Sequence, residues 1–245
     1  MTSDPKMPLK LERLSPALEP QAFSRIKDLR THFEKIEWRA PSLLLNIVSN
    51  QSGEFVGATN SSRDLSNPFD YEMLIGMRTA SDGILTTAKT ARQENYGRSK
   101  LAPLALISGS GDFHEIAAVS DPQAGPVDSL VFLLVPSKLA KATKKAFDKP
   151  WIRVLKIGKG SAFRTTLALT LLGWRRIIVE SGPQYSRFLL RESAVKYVNL
   201  TIVDADDESP LKACQAALAN LGIQGALLLQ AERVNGTLFT RWTDF

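Results

Sequence analysis

The chain has 245 residues, 44% of them hydrophobic and 23% charged, enough to fill the core of one α/β domain at the upper end of the usual size range. Its 31 Lys and Arg against 25 Asp and Glu give a formal charge of +6, which suits either phosphorylated small molecules or nucleic acid. The single cysteine, Cys214, excludes an internal disulfide framework and a cysteine-built metal site; no apolar run approaches the length of a membrane span; and the polar stretch Met1 to Glu12 lacks a signal-peptide core, so a cytoplasmic protein without membrane attachment is expected.

Residues 1–18 hold several prolines and charges without periodicity and are read as an N-terminal arm, with residues 19–245 forming a single domain. Phe23, Ile26, Leu29 and Phe33 recur at helical spacing and predict an amphipathic helix over Gln21 to Lys35. Leu43 to Ser49 is a buried strand, followed by a polar loop from Asn50 to Asn67. Pro68 opens a helix that runs to Thr79, since proline suits a first helical turn. Gly83 to Thr87 and Leu104 to Ser108 are strands, the second closed by Gly109-Ser110-Gly111. Ser129 to Val135 is a buried strand.

A lysine-rich helix follows, with Leu139, Ala142 and Ala146 on its apolar side and Lys138, Lys141, Lys144, Lys145 and Lys149 facing solvent. No aromatic platform is interleaved with these lysines, which argues against single-stranded nucleic acid as a partner. Trp151 to Ile157 is a strand, and Ser161 to Leu172 a helix stopped by Gly173. The stretch Gly158-Lys159-Gly160-Ser161-Ala162-Phe163 has Phe where a dinucleotide fingerprint needs its last glycine, so it is a plain strand–helix turn.

Arg176 to Glu180 is a strand whose end runs through Ser181-Gly182-Pro183 into a helix over Gln184 to Glu192. A glycine turn at a helix start brings backbone N–H groups and a partial positive charge toward an anion. Gly182 is expected there in a backbone conformation that other residues resist. Tyr197 to Val203 is a strand, with Asp204, Asp206 and Asp207 beyond it, and Pro210 to Leu221 a helix. Ala226 to Arg233 and Thr237 to Trp242 form a hairpin across Asn235-Gly236, a pair that tolerates positive φ. Alternating strands and helices followed by an antiparallel end predict a mixed sheet covered by helices on both faces. No Walker loop, HExxH or paired CxxC is present, and His32 and His114 lack a partner pattern.

The segment Asp82-Gly83-Ile84-Leu85-Thr86-Thr87-Ala88-Lys89-Thr90-Ala91-Arg92-Gln93-Glu94-Asn95-Tyr96, joined to Arg176-Ile177-Ile178-Val179-Glu180-Ser181-Gly182-Pro183, resembles the pyrimidine reductase family of riboflavin biosynthesis, a branch of the dihydrofolate-reductase-like fold. The likeness runs from about Arg39 to the C-terminus. It implies an α/β fold with a mostly parallel central sheet, helices on both faces and an antiparallel C-terminal hairpin. It also implies reduction of 5-amino-6-(5-phosphoribosylamino)uracil or a close relative with NADPH, NADH staying open because no 2′-phosphate site is legible.

Carried over by the resemblance, the catalytic positions are Ser52 and Glu180, and Glu180 also touches substrate together with Ser62, Arg78 and Arg98. The cofactor side comprises Val48, Thr87, Thr90, Glu94, Ser108, Ser181, Gly182, Pro183, Gln184 and Tyr185. The family usually has Ser-Leu-Asp-Gly where this chain has Asn50-Gln51-Ser52-Gly53, Gly where it has Thr87, and Glu-Gly-Gly-Pro where it has Glu180-Ser181-Gly182-Pro183. Losing the carboxylate at Ser52 weakens the expected activity, and a non-catalytic ligand-binding or regulatory paralogue is the alternative. The family also implies a homodimer, with which the apolar strands Tyr197 to Val203 and Ala226 to Gln230 are as compatible as with a monomer core.

Overall fold

A computed structural model of the chain describes residues 9–15, 21–23, 25–35, 41–126, 128–205 and 211–245. These form two compact units: one built from residues up to Glu37, from Leu45–Ala80 and from Lys196–Phe245, the other from Trp38–Leu44 and Ser81–Val195.

In the first unit, strands β1 (Leu9–Ser15) and β2 (Gln21–Phe23) pair antiparallel, Leu9 opposite Phe23. The reading of residues 1–18 as an arm therefore meets a strand at Leu9–Ser15, while residues 1–8 and 16–18 lie outside the described residues. The helix expected over Gln21 to Lys35 is confined to α1 (Asp28–Glu34), which buries Leu29 and Phe33. Its first residues become β2 because a neighbouring strand supplies backbone partners, which local periodicity cannot register. Strand β3 (Ser42–Ser49) passes from one unit to the other: the Ser42 N–H donates to the Arg175 carbonyl at 2.8 Å in the second, and the Ser49 carbonyl accepts from the Val203 N–H at 3.1 Å in the first.

Helix α2 (Pro68–Thr79) follows the sequence reading residue for residue. Pro68 takes the first turn, and the Asn67 side-chain oxygen accepts from the N–H groups of Phe69 and Asp70, both at 3.0 Å. Near the chain's end come β9 (Val195–Ile202), α8 (Lys212–Asn220), β10 (Leu227–Val234) and β11 (Thr237–Thr243). Asp206, Asp207 and Pro210 lie outside the described residues. The antiparallel order is β2-β1-β10-β11-β9, so the expected terminal hairpin is the middle of a wider sheet. Its turn residues Asn235 and Gly236 have φ of 44° and 74°, the two positive values that match the twist of a two-residue hairpin.

His32 is paired within this unit: its Nε2 lies 2.8 Å from Oε2 of the buried Glu232. Arg241, on β11, donates from Nε to Asn199 Oδ1 at 2.9 Å, and burial pulls its guanidinium pKa down to about 10. These buried polar groups have no counterpart in the binary pattern of their strands.

The second unit is the parallel half. Strands β4 (Gly83–Thr87), β5 (Leu104–Ile107), β6 (Val131–Val135), β7 (Ile152–Lys156) and β8 (Arg176–Val179) lie in the order β8-β4-β5-β6-β7, all parallel. β4, β5 and β6 are almost wholly buried apolar runs, as parallel strands covered on both faces must be. The intervening helices are α3 (Ala88–Gln93), α4 (Ala117–Ser120), α5 (Ala140–Ala146) and α6 (Ala162–Thr170), and α7 (Pro183–Arg191) follows β8. Helices α3, α4 and α5 lie on the connections that carry the chain from β4 to β7 in one direction along the sheet, and α6 lies on the return to β8, beside β4.

The lysine helix is offset from the expected face. Ala140, Thr143 and Phe147 are buried, whereas Ala142 and Ala146 are exposed, because Phe147 anchors the helix end against Phe113 at 5.8 Å between ring centres. All five lysines of the cluster are exposed. Among the described residues no helix is long and apolar enough to cross a membrane.

Candidate active site

In the second unit β4 and β8 are neighbours, yet the chain leaves β4 in one direction along the sheet and returns at β8 from the other. Such a reversal opens a crevice at the carboxyl ends of the two strands, where ligands of open α/β sheets settle. Two short segments emerge there: Thr87 to Glu94 after β4, and Glu180 to Tyr185 after β8.

Side chains tie the two segments together. Thr87 caps α3, its Oγ1 accepting from the Thr90 N–H at 3.0 Å and donating to Thr90 Oγ1 at 2.9 Å. Thr90 Oγ1 in turn accepts from the Gly182 N–H at 3.3 Å. The Thr that stands where the family has Gly thus serves as a helix cap, worth about 1 kcal/mol. Glu94 closes the same helix at its C-terminal end and is buried.

Glu180 is held from several directions. Its N–H donates to the Leu85 carbonyl at 2.9 Å, and its own carbonyl accepts from Thr86 Oγ1. Its carboxylate, on a residue only 6% exposed, accepts a hydrogen bond from the Tyr96 hydroxyl at 2.6 Å. Nothing in the spacing of Tyr96 and Glu180, 84 residues apart, announces that pair. Tyr96 is missing from the sequence-derived site for this reason.

Ser181 turns inward. Its Oγ lies 3.0 Å from Ser186 Oγ, and Ser186 also donates to the carbonyls of Ser181 and Gly182, both at 3.1 Å. A side chain where the family has Gly is thereby absorbed into the base of α7. Gly182 corrects the expectation placed on it: φ is −62° and ψ 165°, open to any residue, and an added Cβ would meet only Thr90 Oγ1, at 3.8 Å. Gly182 leaves the turn open rather than making it possible.

The start of α7 suits a phosphate group. Pro183 has no N–H, so the first-turn donors without intrahelical partners are those of Gln184 and Tyr185, and no acidic side chain occupies the first turn. The Tyr185 side chain is placed elsewhere than expected: its hydroxyl is buried, its ring stacks on Phe188 at 5.7 Å, and burial pushes its phenol well above the ordinary range against the opposing effect of Thr165. Only its backbone remains as a ligand donor. Ser108, at the end of β5, accepts from the Gly111 N–H at 3.0 Å and shapes a loop whose Gly109 and Ser110 are exposed.

Arg98 also needs correcting as a substrate ligand. It is 4% exposed, and its guanidinium donates to the carbonyls of Pro126 (3.0 Å), Asp121 (2.8 Å), Pro122 (2.6 Å) and Gly125 (2.7 Å) while stacking over Trp151. Those bonds use four of its five N–H donors to fold the 121–126 loop.

The remaining expected positions belong to the first unit. Val48 is a buried residue of β3. Ser52 is exposed at the tip of a turn built by Asn50, whose Oδ1 accepts from the N–H groups of Ser52 and Glu54, both at 3.0 Å. Gly53 follows at φ +82°, and a Cβ there would lie 2.9 Å from the Ala216 carbonyl carbon of α8, so this glycine is required by packing. Ser62 sits in a 3-10 turn (Ser62–Asp64), next to a loop that Asp64 organises by accepting from the Thr59 N–H at 2.6 Å and hydroxyl at 2.7 Å. Arg78 is half-buried in the last turn of α2.

No protein-family model matches the chain, and no curated protein matches it by sequence. Solved structures do. A pyrimidine reductase-like protein from Corynebacterium diphtheriae is 21% identical, with 83% of this chain and 91% of that one covered at a TM-score of 0.62. A diaminohydroxyphosphoribosylaminopyrimidine deaminase/5-amino-6-(5-phosphoribosylamino)uracil reductase from Thermotoga maritima is 13% identical at a TM-score of 0.64, with 84% of this chain and 57% of that longer one covered. The riboflavin biosynthesis reductase of Saccharomyces cerevisiae is 13% identical at a TM-score of 0.57, with 89% and 96% covered. This chain has the fold of these pyrimidine reductase-like proteins over most of its length.

Proposed function

We propose that this protein is an oxidoreductase that uses NADPH to reduce a phosphoribosylaminopyrimidine, of the kind 5-amino-6-(5-phosphoribosylamino)uracil represents, and that it is a slow one. The observation that carries the reading is the reversal point of the parallel sheet. There a buried carboxylate, two threonine hydroxyls and an acid-free helix start stand together at adjoining strand ends. The fold shared with pyrimidine reductase-like structures supports it.

NADPH would supply the hydride that reduces the ribosyl imine, whose nitrogen would take up a proton. In this proposal the N–H groups of Gln184 and Tyr185 receive the pyrophosphate. Thr87, Thr90 and the Ser108 loop shape the surrounding wall. Glu180 accepts hydrogen bonds from the pyrimidine. The resemblance assigns to residue 52 the acid that moves the proton, and this chain has a serine there.

Calorimetric titration with NADPH and, separately, NADH is expected to show binding below millimolar concentration, with slow oxidation on adding the aminopyrimidine. No binding of either dinucleotide sinks the reading. Binding without turnover favours the non-catalytic paralogue.

A homodimer is part of the same proposal. Leu227 and Leu229 on β10 are both exposed and offer apolar surface to a second copy. Sedimentation equilibrium is expected to return twice the chain mass of 27.0 kDa, and a monomer at micromolar concentration would remove this part.

A further inference from the structure

We propose that Tyr96 is a positioning residue of this site, its phenol fixing the Glu180 carboxylate in the orientation that the ligand meets. The inference rests on the reductase reading and adds a residue to it. The Tyr96 hydroxyl donates to Glu180 Oε2 at 2.6 Å, a short bond of the charge-assisted kind.

The Tyr96 main chain is anchored through both its N–H and its carbonyl. The Tyr96 N–H donates to the Ala91 carbonyl at 2.8 Å, and its carbonyl accepts from the Ala118 N–H at 2.8 Å. Asn95, at φ +45°, makes the left-handed step that turns the chain out of α3 and brings Tyr96 back toward β8. On the other side the Glu180 backbone is fixed by Leu85 and Thr86. With both backbones anchored, the carboxylate keeps only its side-chain torsions, and the phenol restrains those.

A purely structural account would have Tyr96 compensate a buried charge and nothing more. The position of Glu180 argues for a larger role. It lies one residue beyond β8, at the carboxyl end of the strand where the sheet reverses direction, the place at which open α/β sheets take their ligands. A carboxylate that must meet a flat, donor-bearing ring needs its plane set within a narrow range, and one hydrogen bond from a rigid aromatic does this with little entropy to lose.

Tyr96→Phe keeps the ring and removes only the hydroxyl. Steady-state NADPH oxidation with 5-amino-6-(5-phosphoribosylamino)uracil would be measured for the unmodified protein, Tyr96→Phe, Glu180→Gln and the double variant. The expected result is a kcat for Tyr96→Phe lowered about ten- to hundredfold, the scale of one hydrogen bond to a charged group, with KM for NADPH unchanged. In the Glu180→Gln background the same change is expected to do nothing further, because Tyr96 acts through that carboxylate. Thermal melting of all four forms shows that they are folded. Unchanged kcat in Tyr96→Phe overturns the proposal alone, as does an equal loss in both backgrounds. Absence of turnover in the unmodified protein instead sinks the reductase reading, and this proposal falls with it.

Discussion

Arg98→Met is expected to cost about 3–5 kcal/mol of folding stability, the range seen when one partner of a buried charged network is removed. The arginine is almost fully buried, donates to four backbone carbonyls of the 121–126 loop and lies 4.5 Å from the Trp151 ring centre. Methionine fills much of the volume but gives those carbonyls no donor. For a chain of this length a loss of that size lowers the melting temperature by roughly 10 °C. Arg98→Lys is expected to recover less than half of it, because an ammonium on a single stem cannot span a fan of carbonyls that a planar guanidinium reaches at once. Differential scanning calorimetry decides the matter: melting within 2 °C or so of the unmodified protein would show that the network contributes little. KM values measured well below the transition are expected to stay unchanged, since the guanidinium is spent on the loop. A selective rise in KM for the phosphorylated substrate, without a stability loss, would restore Arg98 to the substrate site.

Arg98 also shows where sequence reasoning stops. An arginine a few residues after a motif looks like a phosphate ligand, and only the fold reveals that the 121–126 loop curls back around it. Elements with strong local signals were legible almost to the residue: α2 from Pro68 to Thr79, the buried parallel strands, and the hairpin at Asn235-Gly236. Those signals are a first-turn proline, apolar runs and a positive-φ turn pair, all local in the chain.

What was missed depended on distant partners. Gln21–Phe23 became a strand because β1 lies beside it, and α5 rotated its buried face toward Phe147 and away from the predicted Ala142 and Ala146. In the site, the sequence singled out the segments after β4 and β8, and the threonine–glycine tie joins them. The individual roles were less legible. Ser181 binds Ser186 inside the base of α7, Tyr185 turns its ring into the protein, and Tyr96 reaches Glu180 from the end of the quoted motif. Side-chain direction at a helix start depends on packing partners that no spacing rule contains.

Ser52→Asp is expected to raise turnover of the aminopyrimidine about a hundredfold, within the range that a positioned acid or base contributes. The turn that carries residue 52 is held by its neighbours. Asn50 fixes its backbone through the Ser52 and Glu54 N–H groups, Gly53 supplies the left-handed step, and Asn220 of α8 donates to the Gly53 carbonyl at 2.9 Å. The Ser52 side chain itself is exposed, so the larger residue displaces nothing, and the stability change is expected to stay within about 0.5 kcal/mol. A serine hydroxyl hydrogen-bonds but does not exchange a proton readily near neutral pH, whereas aspartate does. Ser52→Asn separates the two properties, having the size and polarity of the aspartate without its charge, and it is expected to leave the rate where serine leaves it. NADPH oxidation by the three forms under identical conditions makes the comparison. Equal gains in the Asp and Asn variants would assign the effect to size or hydrogen bonding. Fast turnover by the unmodified protein would show that the serine is no handicap, and that the proton reaches the substrate nitrogen by a route in which residue 52 takes no part.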